Sequence, residues 1–354
     1  PRLYGNVPTT VFCRVERRGL SVTAMSDHLP LPELEKRLLQ AIDQRYQAQA
    51  GRDLADYVFA NHLFQTFPPT FLEFSCQHRH DIAAYLADEQ HVARLTEYCI
   101  RATKTYTYRR NQFINFTDFY DDLLTAQYRH FLGQLQAALV QSETMEALAQ
   151  AYTSVLQQHH ARLRLIFSTY CVSYQPTGLA DHDLLKTVPC DEYSPLFQLS
   201  LLHIDAATLM EPILDIGCGA SGALVDYLLA QRHTAFGLDR LAPTRPQFSQ
   251  QDWFTFDYGQ NQWGTIIAHQ SFSTHFIYAH LHSDDQADQF ARLYMKLLAG
   301  LKPGGALYYA PGLPFIEEHL TARPGFSLTK TIIETDTTLG IGELFYAVKI
   351  EKAA

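Results

Sequence analysis

Near residue 176 the chain changes its apolar rhythm, and that change limits the folds open to it. Upstream, apolar side chains recur every three or four residues. Downstream, short apolar runs alternate with helical stretches. Leu34, Leu38, Leu39, Ile42 and Tyr46 mark a first helix, opened by Pro32 and ended near Gly51. Asp53 is placed to cap a second helix through Tyr57, Ala60 and Phe64, which Pro68-Pro69 stops. Further amphipathic stretches cover about 79–102, 117–141 and 143–170. None repeats at a fixed period, which argues against a solenoid. Residues 25–175 therefore read as an all-α N-terminal domain. Residues 176–192, with Pro176, Gly178 and Pro189, read as a linker. Met25 reads as a natural start, and 1–24 as a leader segment on which no function is placed.

The remainder, 193–354, has a different grammar. Buried strands are predicted at 212–216, 235–238, 265–268 and 305–309, with helices at 223–230 and 286–301 between them. Strands separated by helices imply parallel β-α-β units. At the end, 329–334 and 343–350 are strand-like and joined by only 336–342, too short for a helix, so a hairpin closes the sheet.

Composition narrows the function. With 47% hydrophobic and 18% charged residues the chain is an ordered globular protein. No apolar run is long enough to cross a bilayer, and no secretory signal pattern stands at the N-terminus. The six cysteines are scattered, without a C-x-x-C pair, which disfavours a zinc site or disulfide scaffold and suits the reducing cytoplasm. Residues 1–180 hold 17 basic and 17 acidic side chains, so the whole net charge of −9 belongs to the second half. An acidic half repels a phosphate backbone, and nucleic acid is a poor first partner.

The chemistry concentrates at Leu214-Asp215-Ile216-Gly217-Cys218-Gly219-Ala220-Ser221-Gly222, which ends a strand and opens a helix. Glycines there let a ligand approach the main chain, and the helix start offers free N–H groups. Asp239 ends the next strand, where a carboxylate suits the two hydroxyls of a ribose. A dinucleotide would bring its pyrophosphate to this loop, and Asp215, two positions before Gly217, would oppose that anion. The acid suits a cationic, phosphate-free ligand instead, such as S-adenosyl-L-methionine with its sulfonium and ammonium. Asp252 is able to accept from an adenine amino group, with Trp253 or Phe254 beside the ring.

In these motifs, residues 193–350 resemble the class I S-adenosylmethionine-dependent methyltransferases. The L-D-I-G-C-G-x-x-G loop, the acid of Gly237-Leu238-Asp239, the acid of Gln251-Asp252 and Leu301-Lys302-Pro303-Gly304-Gly305 follow in the family's order. The resemblance implies an α/β fold: a doubly wound, mostly parallel seven-stranded sheet with a C-terminal antiparallel hairpin, here preceded by the all-α domain. It also implies S-adenosyl-L-methionine as cofactor, with Asp215 and the loop of Gly217, Cys218, Gly219 and Gly222 at the methionine end. Asp239 would lie at the ribose, Asp252 and Trp253 at the adenine, and Arg240, Tyr193 and His269 within reach of the cofactor. Each acid also has a plainer reading, as a helix cap or a turn residue, and Cys218 reads as a small filler.

Strand ends face the ligand crevice in such a sheet, so Ala268-His269-Gln270-Ser271-Phe272-Ser273-Thr274-His275 borders the transferred group. His269 and His275 are the candidate bases, with Tyr278, His280 and His282 further along. No metal site is expected, since the histidines lack a carboxylate at helical spacing. The segment lacks N-P-P-[YF], D-P-P-Y, a His-Asp-Trp run and a Pro-Cys nucleophile, which turns the reading away from planar-nitrogen, phenol-type and cytosine-C5 methylation. The acceptor is then an O or N atom of a small molecule or peptide side chain. The alternatives are a protein or RNA methyltransferase on the same fold, a silent cofactor-binding scaffold and, more remotely, a nicotinamide oxidoreductase.

The helical half is rich in rings between Tyr106 and Tyr120 and is placed either to roof the crevice or to form a homodimer face. Tyr108, Tyr278 and the Arg109-Arg110 pair are candidates for the acceptor, the arginine pair for a carboxylate on it. The stretch 309–315, with Phe315, is expected to line the acceptor side, and Glu317 and Glu318 to meet a cation.

Overall fold

A computed structural model describes residues 28–59, 66–174, 183–188, 192–321, 324–333 and 345–354. The leader segment, most of the linker and the hairpin turn lie outside these residues. The helical half comprises α1 (Leu31–Gln47), α2 (Leu54–Phe59), α3 (Pro69–Gln77), α4 (Arg79–Tyr85), α5 (Glu89–Arg110), α6 (Asp118–Gln141) and α7 (Met145–Tyr174). Leu34, Leu95, Leu124, Leu156, Phe167 and Tyr170 are among the buried side chains that hold these helices together.

Two local differences from the sequence reading have physical causes. Pro68-Pro69 does more than stop a helix: Pro69 starts α3, because a first-turn residue needs no N–H donor. The stretch 79–102 is two helices, since the Asp88 carboxylate takes the N–H groups of Gln90 and His91 at 2.9 and 3.0 Å and caps α5. Asp53 directly precedes α2, at the position read for a cap, and is also engaged by the Thr187 hydroxyl far along the chain.

The C-terminal half runs α8 (Pro195–Leu201), β1 (Ile213–Ile216), α9 (Ala223–Ala230), β2 (Ala235–Leu238), β3 (Phe248–Ser249), β4 (Trp263–His269), α10 (Phe272–His282), α11 (Asp284–Gly300), β5 (Leu301–Ala310), α12 (Pro314–Thr321), β6 (Phe326–Ile332) and β7 (Tyr346–Lys352). The strands form one sheet in the order β3-β2-β1-β4-β5-β7-β6. The first five are parallel and β7 is antiparallel to both neighbours, which is the doubly wound sheet with a terminal hairpin expected above. Every residue of β1 and β4 is buried, as strands covered on both faces must be. Pro303-Gly304-Gly305 lies inside β5 as an irregularity: Trp263 pairs with Leu301 but Thr265 with Ala306, and Gly304 takes φ +75°. β1 begins at Ile213, so its carboxyl end delivers Asp215 and Gly217 to the same rim as Asp239 and His269.

Glu317, expected to face a cationic substrate, is fully buried instead. Its carboxylate accepts from the Tyr309 hydroxyl at 2.8 Å, the Leu313 N–H at 2.6 Å and the Tyr346 hydroxyl at 2.6 Å, and it pairs with Lys330 at 2.7 Å. The cation it meets is the protein's own. This knot ties β5, α12, β6 and β7 together. Glu317→Gln is expected to lower stability by about 2 kcal/mol, because bonds to a charged acceptor become neutral ones. Urea denaturation checks it, and an unchanged midpoint would remove the role.

Candidate active site

The rim of the sheet is built from the turn that follows β1. Gly217 takes φ +78° and leaves no room for a side chain, since a Cβ there would lie 2.3 Å from that of Ser271. Ser271 is fixed in turn, its hydroxyl donating to the Ile216 carbonyl at 2.6 Å. The main chain of the loop is thus bare toward the cleft, and Gly222 leads directly into α9. Above the loop lies a cavity of about 200 Å³.

Two carboxylates stand beside the loop. Asp215 is 3% exposed; burial, with Asp239 nearby, pushes its carboxyl up to about 7. Asp239 is also raised by burial. Its Oδ1 accepts from the Leu241 N–H at 2.7 Å and its Oδ2 from the Gly219 N–H at 3.3 Å, so it is aimed and held by main chain. A third acid was missed by the sequence reading: Glu192 lines the cavity and accepts from the Ser221 N–H at 2.9 Å. Its only signal was its place next to Tyr193, in a stretch read as linker.

Gly217, Cys218, Gly219, Asp239, Arg240, Trp253, Tyr193, Tyr108, Arg109, His269 and His275 all border this cavity. Cys218 is buried among aliphatic side chains. Asp252 borders a smaller cavity of about 60 Å³ beside the first, and Trp253 and His275 border both. The Asp252 carboxylate accepts from the Phe254 N–H at 2.8 Å. Gly222 is set back, with Phe248 packed where its side chain would be.

Arg240 does something other than reach toward a ligand. Its guanidinium donates to the Ile114 carbonyl at 2.6 Å and to the Gln112 carbonyl, and it lies 3.9 Å from the centre of the Tyr108 ring. It fastens the end of α5 and the turn after it over the sheet. His275 shares this duty: Nδ1 lies 2.8 Å from the Ser271 carbonyl and Nε2 2.9 Å from the Gln112 carbonyl. Burial, and then Arg240, push its pKa down to about 4, against the two carbonyls, which favour the protonated ring. With a main-chain carbonyl against each nitrogen, His275 is a poor base. The expectation of catalysis there gives way to a junction between the two halves.

His269 fits better. It ends β4, is 7% exposed, and its Nε2 has no hydrogen-bond partner. Tyr193 and Phe197 meet its ring edge to face at 5.1 and 6.1 Å. Burial pushes its pKa down to about 4, which keeps it unprotonated near neutrality.

Two substrate candidates lie elsewhere. Phe315 is carried on α12, half-buried at the edge of the sheet domain's core, and packs against Phe276 and, stacked at 4.0 Å, against the exposed His280. The reason is that α12 starts at Pro314 and turns the ring inward. Tyr278 stacks on Phe113 at 4.4 Å and borders the smaller cavity, with its hydroxyl buried and unpartnered. Among the described residues no group of three or more His, Cys, Asp or Glu is arranged for a metal ion. None of the described helices is long and apolar enough to cross a membrane.

The sheet order, the acid-flanked glycine loop and the closing hairpin give the C-terminal half the fold of the class I S-adenosylmethionine-dependent methyltransferases. Solved structures of that kind are similar to part of the chain. The plantazolicin methyltransferase BpumL, solved with SAH, shares 14% identity over 45% of this chain and 82% of its own, with a TM-score of 0.32. The N-methyltransferase NodS from Bradyrhizobium japonicum shares 15% over 45% and 96%, with a TM-score of 0.32. An rRNA methylase from Streptococcus thermophilus shares 13% over 47% and 100%, with a TM-score of 0.30. No protein-family model and no curated protein matches the chain.

Proposed function

We propose that the protein is an S-adenosyl-L-methionine-dependent methyltransferase that methylates an O or N atom of a small molecule or peptide side chain. The observation that carries this reading is the Gly217 turn with two buried carboxylates near it, of which Asp239 borders the cavity above the loop and Asp215 lies outside its lining. Acids at the loop favour a ligand that brings positive charge and hydroxyls, and disfavour a pyrophosphate.

In this reading Asp215 pairs with the ammonium of the methionine end, and Asp239 accepts from the ribose hydroxyls. Asp252 and Trp253 border the adenine. When bound, the cofactor supplies a methyl group on a sulfonium, open to in-line displacement. The chain's own contribution is largely positioning. Tyr108 and Arg109 roof the cavity and limit water, and Arg109 is placed to receive a carboxylate on the acceptor. His269 Nε2 accepts the proton released by the acceptor.

Titration calorimetry with S-adenosyl-L-methionine and, separately, NAD tests the class. Binding of the first alone supports the reading, and binding of NAD alone overturns it. Asp239→Ala is expected to weaken S-adenosyl-L-methionine binding about tenfold or somewhat more, the loss of charge-assisted bonds to hydroxyls. Unchanged affinity would remove the ribose assignment. His269→Ala is expected to cut kcat about a hundredfold with cofactor affinity nearly intact. Full turnover in that variant would end the case for a histidine base.

A further inference from the structure

A further cavity, of about 280 Å³, lies beyond the carboxyl ends of β4 and β5. None of the described residues that line it belongs to the helical half. Gln270 borders both this cavity and the cleft over the glycine loop. Ala310, also in its wall, pairs in register with His269 across β4 and β5. A single residue thus stands between the cavity and the space that His269 faces.

The wall is hydrocarbon that the fold leaves uncovered. Leu201, Ile277, Pro311, Ile333 and Phe345 line it and are only half-buried. On α10, Thr274 and Ile277 lie on the cavity, and the same helical stripe continues to Leu281, which is 70% exposed. On α8, Leu201 follows Phe197 by one turn, and the Phe197 ring meets that of His269 edge to face. Apolar surface therefore runs from His269 into the cavity. Covering it by an apolar ligand is favourable, and a mostly apolar wall with one placed polar group is the usual form of a small-molecule site.

The polar group is Gln270. Its backbone takes φ +45°, the left-handed region that a residue with a side chain seldom enters, and its N–H donates to the Ala310 carbonyl at 2.9 Å. Strain of this kind persists where the placement of a side chain matters. An apolar cavity of about 150 Å³ is known to take up benzene, so the larger space here admits a bicyclic body.

We propose that this cavity holds the apolar body of the methyl acceptor, a bicyclic ring or a branched alkyl group of similar bulk, and that the Gln270 amide hydrogen-bonds the accepting O or N atom at the border of the cleft. The amide both donates and accepts, so it serves a hydroxyl or an amine. This inference rests on the methyltransferase reading and narrows its acceptor to an apolar small molecule.

The test is calorimetry of the full chain in the presence of S-adenosyl-L-homocysteine, with β-naphthol and tetrahydroisoquinoline as bicyclic O and N probes and myo-inositol as the polar ring control. At least one probe is expected to bind one-to-one with Kd below about 1 mM, and myo-inositol at least about tenfold more weakly. Interligand Overhauser contacts in NMR are expected to join the bound probe to the bound S-adenosyl-L-homocysteine. Ile277→Gln, which makes the wall polar, and Thr274→Trp, which fills the space, are each expected to weaken the probe about tenfold or more with S-adenosyl-L-homocysteine affinity unchanged. Gln270→Ala is expected to weaken it about threefold, the loss of one hydrogen bond. Circular dichroism checks the fold of each variant, and Ile277→Gln decides if Thr274→Trp does not fold. Binding of S-adenosyl-L-homocysteine without binding of either probe overturns this proposal alone. Undiminished probe binding by a folded Ile277→Gln overturns the location, and binding of both ligands without Overhauser contact overturns the acceptor role. Failure of S-adenosyl-L-homocysteine itself to bind is the failure of the methyltransferase reading, and the acceptor assignment falls with it.

Discussion

Replacing Asp215 by asparagine is expected to weaken S-adenosyl-L-methionine binding about a thousandfold while making the free protein more stable. An ammonium left without its buried anion loses about 3–5 kcal/mol, which is two to four decades in affinity. The opposite sign on stability follows from the proton. The folded-state pKa of Asp215, at about 7, lies far above the unfolded value. Stability from the protonated, neutral carboxyl is therefore fully present below about pH 4 and is lost as the pH rises through about 7. The shift of roughly three units corresponds to about 4 kcal/mol, and asparagine recovers part of it above neutrality. For wild type, a cationic ligand selects the ionised acid. Affinity is expected to fall about tenfold per pH unit below about 7 and to level off above it. Calorimetry between pH 5.5 and 8.5 reads both effects, with thermal melts of the two ligand-free proteins. Equal affinity in the variant, or a flat pH profile, would take Asp215 out of the binding site.

The second large effect belongs to Arg240→Ala. That change removes two charge-assisted bonds, to the Ile114 and Gln112 carbonyls, and the stacking over Tyr108. Together these amount to about 4 kcal/mol, and the two carbonyls lose a donor. The helical half is expected to melt apart from the sheet, turning one thermal transition into two. Arg240 also helps depress the pKa of His275, so the imidazole titration is expected to move upward in the variant, seen by proton NMR. A single unshifted transition would show that the halves are joined by other contacts.

How much of this could be read in the sequence depended on how local each feature is. The Gly217–Gly222 turn with Asp215 was legible because a few consecutive residues carry the geometry, and Asp239 because it ends the next strand. The sheet was legible because β1 and β4 are short, continuous apolar runs between helices. The break between α4 and α5 was hidden, since Asp88 had to outweigh an apolar periodicity running straight through it. Phe315 and Glu317 were misplaced because position after a strand says nothing about which way a helix turns its faces. Arg240 and His275 were the hardest. Their partners are main-chain carbonyls more than a hundred residues away, which leave no mark in side-chain patterns. Glu192 reaches the loop from a segment with no periodicity at all.

The junction between the halves has a consequence for how this protein can vary. Both Arg240 and His275 address the Gln112 carbonyl, and Arg240 also addresses that of Ile114. Every residue type offers the same carbonyl, so Gln112 can be exchanged freely without altering the attachment. The polar part of keeping the helical half in place falls on two side chains of the sheet domain, beside the Tyr278 ring stacked on Phe113. Mutational drift is therefore expected to be asymmetric across this seam: the helical side is free to change the side chain at Gln112, while Arg240 and His275 on the sheet side are not free to change.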